Sequence, residues 1–374
     1  MHIEAIEIRH VAMPLLSPWK TASHEATAIH AVFVRIESNG VSAWGEAAPL
    51  SDPTYSPEWA GAAFETLKYW LAPALLGEDV VSGKDLQDRL GIFKGNYFAK
   101  GALDCAWWAL DACLAGVPLH IRVGGVSDRV EIGADFGVTD SYDTLVSQIG
   151  EALDQGFRRV KLKFRPGWEA EMVDAVRSTF PNLLLHIDCN SGYTLDDIEL
   201  FKHLDQYDLA MIEQPLAFDD LVDHAKLARQ IETPICLDET IVSTDRVRHA
   251  IDLGACSWIN IKHGRVGGIT NAIEINKLCE GAGIQCWVGS MLESAVGSAL
   301  SIAVASRAHI HYPADVFPTD RHYAEDIAYP EIEFEKGCSG GVFALASEAP
   351  GIAPKPHPER LQAATVAQAL LEAV

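Results

Sequence analysis

The chain has 374 residues, of which 48% are hydrophobic, and its 52 acidic against 29 basic residues leave a net charge of −23. That length accommodates a barrel of about 250 residues plus a smaller domain, and the apolar share excludes a disordered chain. The acidic surplus excludes a nucleic-acid partner, because phosphate binding needs clustered Lys and Arg.

The N-terminus, MHIEAIEIRH, alternates apolar and polar residues and reads as a strand rather than a signal peptide. A second strand is expected at Ala31–Ile36, with Ser38-Asn39-Gly40 as a turn. Residues 57–75, 84–92 and 97–115 change to a helical rhythm, and Gly116 and Pro118 mark the end of the last. A strand block followed by a helix block predicts an α+β unit over residues 1–125.

From 126 to 324 short apolar strands alternate with helices. The strands are read at Glu131–Val138, Arg159–Phe164, Leu183–Asp188, Leu209–Glu213, Pro234–Asp238, Trp258–Lys262, Ile284–Val288 and, less clearly, near His309–Tyr312. Ser141, Thr194 and Ser243 suit helix N-caps, and Gly156 and Gly254 suit helix ends. Eight such βα units predict a parallel (β/α) barrel. Residues 325–374 lose the rhythm and are expected to return to the first domain. Eight cysteines without a CxxC pair indicate reduced thiols in a cytoplasmic protein. No uncharged apolar run approaches the roughly 18 residues of a membrane helix.

The informative pattern is positional. Lys163, Asp188, Glu213, Asp238 and Lys262 end five successive strands, at steps of 25, 25, 25 and 24 residues. A charged side chain at the end of a buried parallel strand is costly unless paired or ligated. One βα unit per step puts all five on the rim where barrels build active sites. Three carboxylates aimed at one volume repel, and a divalent cation removes the conflict. Oxygen-only ligands favour Mg²⁺ or Mn²⁺. Strands two and six oppose each other in an eight-stranded ring, so Lys163 and Lys262 are expected to face across the cavity. A lysine acts as a base only if its pKa falls, and Lys161 and Arg265 are the neighbouring cations expected to lower it. The chemistry implied is removal of a proton next to a carboxylate of a small molecule. A base on one face and an acid on the other permit racemisation; a leaving group permits elimination.

These residues lie in segments that resemble the enolase superfamily: KLKFRPGW around Lys161 and Lys163, IDCN at Ile187–Asn190, IEQPL at Ile212–Leu216, CLDET at Cys236–Thr240, NIKHGRVGG at Asn260–Gly268 and WVGSMLES at Trp287–Ser294. With SPWKT at Ser17–Thr21 and GNYFAKGALDCAWWALD at Gly95–Asp111, the resemblance is to the o-succinylbenzoate synthase and N-acylamino acid racemase branch, over nearly the whole chain. It implies a capping domain whose loop at Ser17–His24 contacts substrate. It also implies Mg²⁺ held by Asp188, Glu213 and Asp238, a Lys163/Lys262 acid/base pair, and a homo-oligomer.

Asp135 stands where that family usually has a small serine, His263 where proline is usual, and Trp19-Lys20 where Phe-Arg is more usual. These departures bear on the substrate, not on proton abstraction. Asn190, Gln214, Glu239, Ser290, Met291 and Glu293 are further candidates for the metal shell or substrate contact. The alternatives are a dipeptide epimerase, a muconate-type lactonising enzyme and a non-catalytic metal-binding protein. The lack of a His-Asp pair at strands six and seven argues against an acid-sugar dehydratase.

Overall fold

The computed structural model describes residues 1–20, 25–139 and 141–373; residues 21–24 of the expected substrate loop lie outside the described residues. Three long antiparallel strands open the chain, β1 (Ala5–Lys20), β2 (Glu25–Ser38) and β3 (Val41–Ala47). Four helices follow: α1 (Ala60–Thr66), which runs into a π-helical turn at Leu67–Leu71, then α2 (Gly83–Leu90), α3 (Tyr97–Ala115) and α4 (Leu119–Arg122). Isoleucines at 6 and 8 are fully buried, which is what period-two patterning does for a sheet with one face on a core. α3 is buried almost all round and packs against β2 and β3. Its C-cap is Gly116 at φ 69°.

Next come β4 (Arg129–Ile132), β5 (Ala134–Phe136), α5 (Tyr142–Gln155), β6 (Arg159–Lys163), α6 (Ala170–Thr179), β7 (Leu184–Asp188) and α7 (Ile198–Leu204). The alternation continues through β8 (Ile212–Glu213), α8 (Val222–Ala228), β9 (Ile235–Leu237), α9 (Thr244–Leu253), β10 (Trp258–Ile261), α10 (Ile269–Ala282), β11 (Gln285–Val288) and α11 (Ala295–Ala305). β5 to β11 form one parallel sheet in chain order, a curled βα array. The side chains of Ser141 and Ser243 accept from backbone amides at the starts of α5 and α9, and Thr194 forms a capping box. Gly156 and Gly254 close helices in the left-handed region.

Two strand expectations need correction. The first barrel strand, read as Glu131–Val138, is divided. β4 leaves the parallel sheet and pairs antiparallel with the strand Val342–Leu345, and only β5 joins β6. The break falls at Gly133, where a Cβ would sit 2.1 Å from the buried Arg159 guanidinium. The eighth strand near His309–Tyr312 does not form. Single parallel bridges, Ile310 to Cys286 and Ala314 to Ile132, stand where a strand was expected. His309 has φ 67° and Pro313 has no N–H, so this segment cannot keep up a ladder.

The chain ends with β12 (Ala328–Tyr329), β13 (Phe334–Lys336), β14 (Val342–Leu345), β15 (Lys355–Pro356), α12 (Pro358–Ala364) and β16 (Thr365–Glu372). β16 pairs with β1, so the last strand completes the first sheet in the order β16-β1-β2-β3. Six cysteines are buried, Cys113 is half-buried and Cys338 exposed, and all eight are free. Among the described residues no helix is long and apolar enough to cross a membrane.

The N-terminal sheet is fastened to the barrel at Glu46 on β3. Its carboxylate, fully buried, accepts from the Ser294 hydroxyl, from Ser294 N at 3.0 Å and from Gly297 N at 2.8 Å, at the N-terminus of α11. Neighbouring Gly45 lets β3 lie directly on α3, since a Cβ there would fall 2.4 Å from Ala102 O. Gly45→Ala is expected to destabilise the protein by about 1–3 kcal/mol in chemical denaturation; an unchanged midpoint would contradict the contact. Burial pushes Glu46 up to about 8, against the pull of its Ser294 and Gly297 donors. An acid raised in the folded state contributes stability below its ordinary value and loses it as pH climbs through the folded value. The stability of the natural protein relative to Glu46→Gln should therefore fall between about pH 5 and 8, and a pH-independent difference would refute the shift.

Candidate active site

Five charged residues meet at the C-terminal rim of the parallel sheet because the βα units repeat evenly. Lys163, Asp188 and Glu213 are the last residues of β6, β7 and β8, while Asp238 and Lys262 stand one residue past β9 and β10. All five are buried. The strand order puts three strands between the two lysine positions, and the three acids occupy that arc.

The acids are held by amines. Lys163 Nζ lies 2.7 Å from Asp188 Oδ2 and Lys262 Nζ 2.8 Å from Asp238 Oδ2. Lys161, two residues before Lys163 on the same face, reaches Asp188 and Glu213 at 3.2 Å each and Asp315 at 3.3 Å. Arg265 donates to Asp238, to the Tyr55 hydroxyl at 2.9 Å and to the carbonyls of Ile241 and Asn260. Burial pushes the Asp188 carboxyl up, but Lys163 and Lys161 hold it well below the usual range. Burial and Asp188 likewise push Glu213 up, and Lys161 and His186 reverse the direction.

The expectation that cations would lower a lysine is corrected at Lys262. Burial pushes its amine down and Lys161 acts the same way, but Tyr55, Glu213 and Glu239 outweigh both and its net direction is up. The acids sit closer to the amine's charge than the sequence reading allowed. Lys161 is likewise raised, by Glu213, Asp315 and Asp188 against burial.

The other candidates divide by place. Gln214 braces the loop, its Oε1 accepting from Asp238 N at 2.9 Å and its Nε2 donating to Thr240 Oγ1 at 2.7 Å. Asn190 N donates to Asp188 Oδ1, and its Nδ2 lies 3.3 Å from Glu239 Oε1. Burial and Asp188 push Glu239 up to about 7. Glu293 ties down its own loop, accepting from Ser290 Oγ and Met291 N. Met291 Sδ lies 3.6 Å from Lys262 Nζ. His263 is not brought to the cavity: it joins Ser301 Oγ on α11 to the carbonyl of Glu46, each at 3.2 Å. Ser290, Met291, Asp135 and half-buried Trp19 line a cavity of about 70 Å³ with the lysines 161, 163 and 262.

Several partners went unread in the sequence. Tyr55, from the loop after β3, places its hydroxyl 3.2 and 3.3 Å from the two Asp238 oxygens and 3.1 Å from Lys262 Nζ. Asn260 Nδ2 donates to Glu213 Oε1 at 2.7 Å. Asp315, held well below its usual value by Arg159 and Lys161 against burial, anchors Arg159 at 2.6 Å. His186, whose burial pushes it down, bonds Tyr312 OH at 2.9 Å and faces Glu213 at 3.6 Å. None belongs to the evenly spaced strand ends; Asn260 alone lay beside one, in NIKHG.

Two buried oxygens beside the acids, Asn190 Oδ1 and Glu239 Oε2, have no hydrogen-bond partner among the described residues, and Glu213 Oε2 is met by Lys161 Nζ at 3.2 Å. Hard oxygens with free lone pairs beside Asp188 suit a hard divalent cation. Among the described residues no three acids, histidines or cysteines stand as a ready-formed metal cluster; the amines draw the carboxylates toward themselves.

Residues 3–124 match the mandelate racemase / muconate lactonizing enzyme N-terminal domain, and residues 144–359 match the enolase C-terminal domain-like family. The chain is 40% identical to the o-succinylbenzoate synthase of Geobacillus kaustophilus, over 90% of each chain. It is 38% identical to the N-succinylamino acid racemase of Amycolatopsis sp, over 98% of this chain and 99% of the other. The crystal structure of an enolase superfamily member from Listeria innocua superposes with a TM-score of 0.94 at 34% identity, covering 100% of this chain and 99% of that one. The two domain matches and these relatives together show that this chain belongs to the enolase superfamily.

Proposed function

We propose that the protein abstracts a proton from the carbon next to a carboxylate, as an o-succinylbenzoate synthase, an N-acylamino acid racemase, or both. Asp188, Glu213 and Asp238 would hold Mg²⁺ or Mn²⁺, with Asn190, Gln214 and Glu239 around them. The observation that carries this reading is the pair of buried amines, Lys163 and Lys262, at either end of one arc of three carboxylates. A bound cation supplies electrostatic stabilisation of the negative charge that develops on the substrate carboxylate.

The chain's own residues do the rest. Lys163 Nζ and Lys262 Nζ address opposite faces of the reacting carbon, one accepting its proton and the other donating from the far side. In a dehydration one amine accepts the proton and returns it to the hydroxyl that leaves as water, while the other remains a cation beside the anion. Burial and Lys161 push the Lys262 amine toward its neutral form, while Tyr55, Glu213 and Glu239 push it the other way. Tyr55 and Arg265 fix Asp238 and keep its carboxylate from turning.

Lys163→Ala and Lys262→Ala should each lower substrate α-proton exchange in deuterated water by about 10²–10⁴-fold, leaving far-ultraviolet circular dichroism and Mg²⁺ binding unchanged. Retained exchange in either variant would remove that lysine from its role. Glu213→Gln should weaken Mg²⁺ binding more than about tenfold by calorimetry, and an unaltered affinity would contradict the assigned ligand set.

A further inference from the structure

A divalent ion held by Asp188, Glu213 and Asp238 changes what the amines beside them face, and Lys161 loses most. In the free protein its Nζ lies 3.2 Å from Asp188 Oδ2 and from Glu213 Oε2, and 3.3 Å from Asp315 Oδ2. With an ion bound, Asp188 and Glu213 turn to the ion. Lys161 is 2% exposed, so water cannot take their place. A buried cation stripped of its carboxylates is costly. Of its three acid partners, Asp315 is the one outside the ligand set.

Asp315 is built to stay with Lys161. Its backbone N–H donates to the carbonyl of Val288, the last residue of β11, at 2.9 Å. Its two oxygens are divided. Oδ1 accepts from Arg159 Nη2 at 2.6 Å, and Oδ2 accepts from Lys161 Nζ at 3.3 Å. The same Nη2 of fully buried Arg159 donates to the Pro313 carbonyl at 2.8 Å, so one guanidinium fixes both the carboxylate and the segment that carries it. The Trp287 ring supports the Lys161 amine, 5.1 Å from its centre. Asp135, opposite Lys161 in the strand register, makes no ion pair with it among the described residues. Lys161 lines the cavity and Asp315 does not, so the carboxylate stands behind the amine.

We propose that Asp315 is a positioning residue: once an ion holds Asp188 and Glu213, Asp315 keeps the Lys161 amine seated on the cavity wall, where that amine takes the substrate's carboxylate. This rests on the α-proton reading for the ion and the ligand. Asp315 touches neither the ligand nor the reacting carbon and acts through Lys161 alone.

The probe is N-succinyl-L-phenylalanine with the Mg²⁺-loaded full chain. Asp315→Asn, confirmed folded by its thermal transition, should bind it at least about tenfold more weakly by calorimetry. Its Mg²⁺ affinity should stay within about threefold of the natural protein's. In a Lys161→Met background the same substitution should change the probe's affinity by less than about twofold. Unchanged probe binding in Asp315→Asn, a loss matched by the Mg²⁺ affinity, or an equal loss in both backgrounds would overturn the inference, because a purely structural defect does not depend on Lys161. A crystal of the natural protein with Mg²⁺ and the probe decides the matter without a substitution. Lys161 Nζ should stay within hydrogen-bond distance of Asp315 Oδ2 and also meet the probe's α-carboxylate. An ion on the acids with Lys161 turned away from Asp315 sinks this inference alone. No ion on the acids, or no probe bound at millimolar concentration, sinks the α-proton reading and this inference with it. The expected binding pattern without α-proton exchange in deuterated water removes the catalytic reading and leaves the positioning role standing.

Discussion

The architecture turns on burying carboxylates in company. Asp188, Glu213 and Asp238 are almost wholly removed from water on neighbouring strands, where isolated charges would cost several kcal/mol each. They persist because Lys161, Lys163, Lys262 and Arg265 come from the same rim to meet them. The same neighbourhood that makes the acids affordable puts two amines on the wall of one cavity. Stability and chemistry therefore draw on one set of residues, and among the described residues Glu239 Oε2 is left without a hydrogen-bond partner.

The parallel sheet cannot hold this network alone. β5 has three residues, β8 two, and single bridges stand where the eighth strand was expected. Side chains take over where the ladder is thin. Buried Arg159 ties the 313–315 segment to β5 through the Pro313 carbonyl, Asp315 and the Ala134 carbonyl. From outside, the loop after β3 contributes Tyr55 to Asp238, and β3 itself contributes Glu46 to α11. The cap is thus wired into both the acids and the helix that follows β11. Asp135 stands apart from all of this, a carboxyl lining the cavity whose Oδ1 has no hydrogen-bond partner among the described residues.

Period decided what could be read in one dimension. Alternating isoleucines announced β1, capping residues at 141, 194 and 243 announced helix starts, and the 25-residue repeat of charged strand ends announced the rim. These signals are local or strictly periodic, so the unfolded chain already carries them. The divided first strand escaped because its cause, the Arg159 guanidinium against Gly133, lies 26 residues away in the chain. The missing eighth strand was foreshadowed by Pro313, but its replacement by Ile310 and Ala314 bridges depends on where β11 and β4 happen to stand.

For the site the division is the same. The sequence by itself determined the βα array and the rank of charged residues on its rim, because these follow from repeat length and strand polarity. Only the tertiary structure decided that Tyr55 reaches Asp238 across 183 residues, that His263 turns to Ser301 and Glu46, that Lys262 is raised rather than lowered, and that Asp135 keeps a bare oxygen. Each of these is a sum over neighbours brought together by packing, and hydrogen-bond partners and electric fields depend on distance in space, which spacing along the chain does not contain.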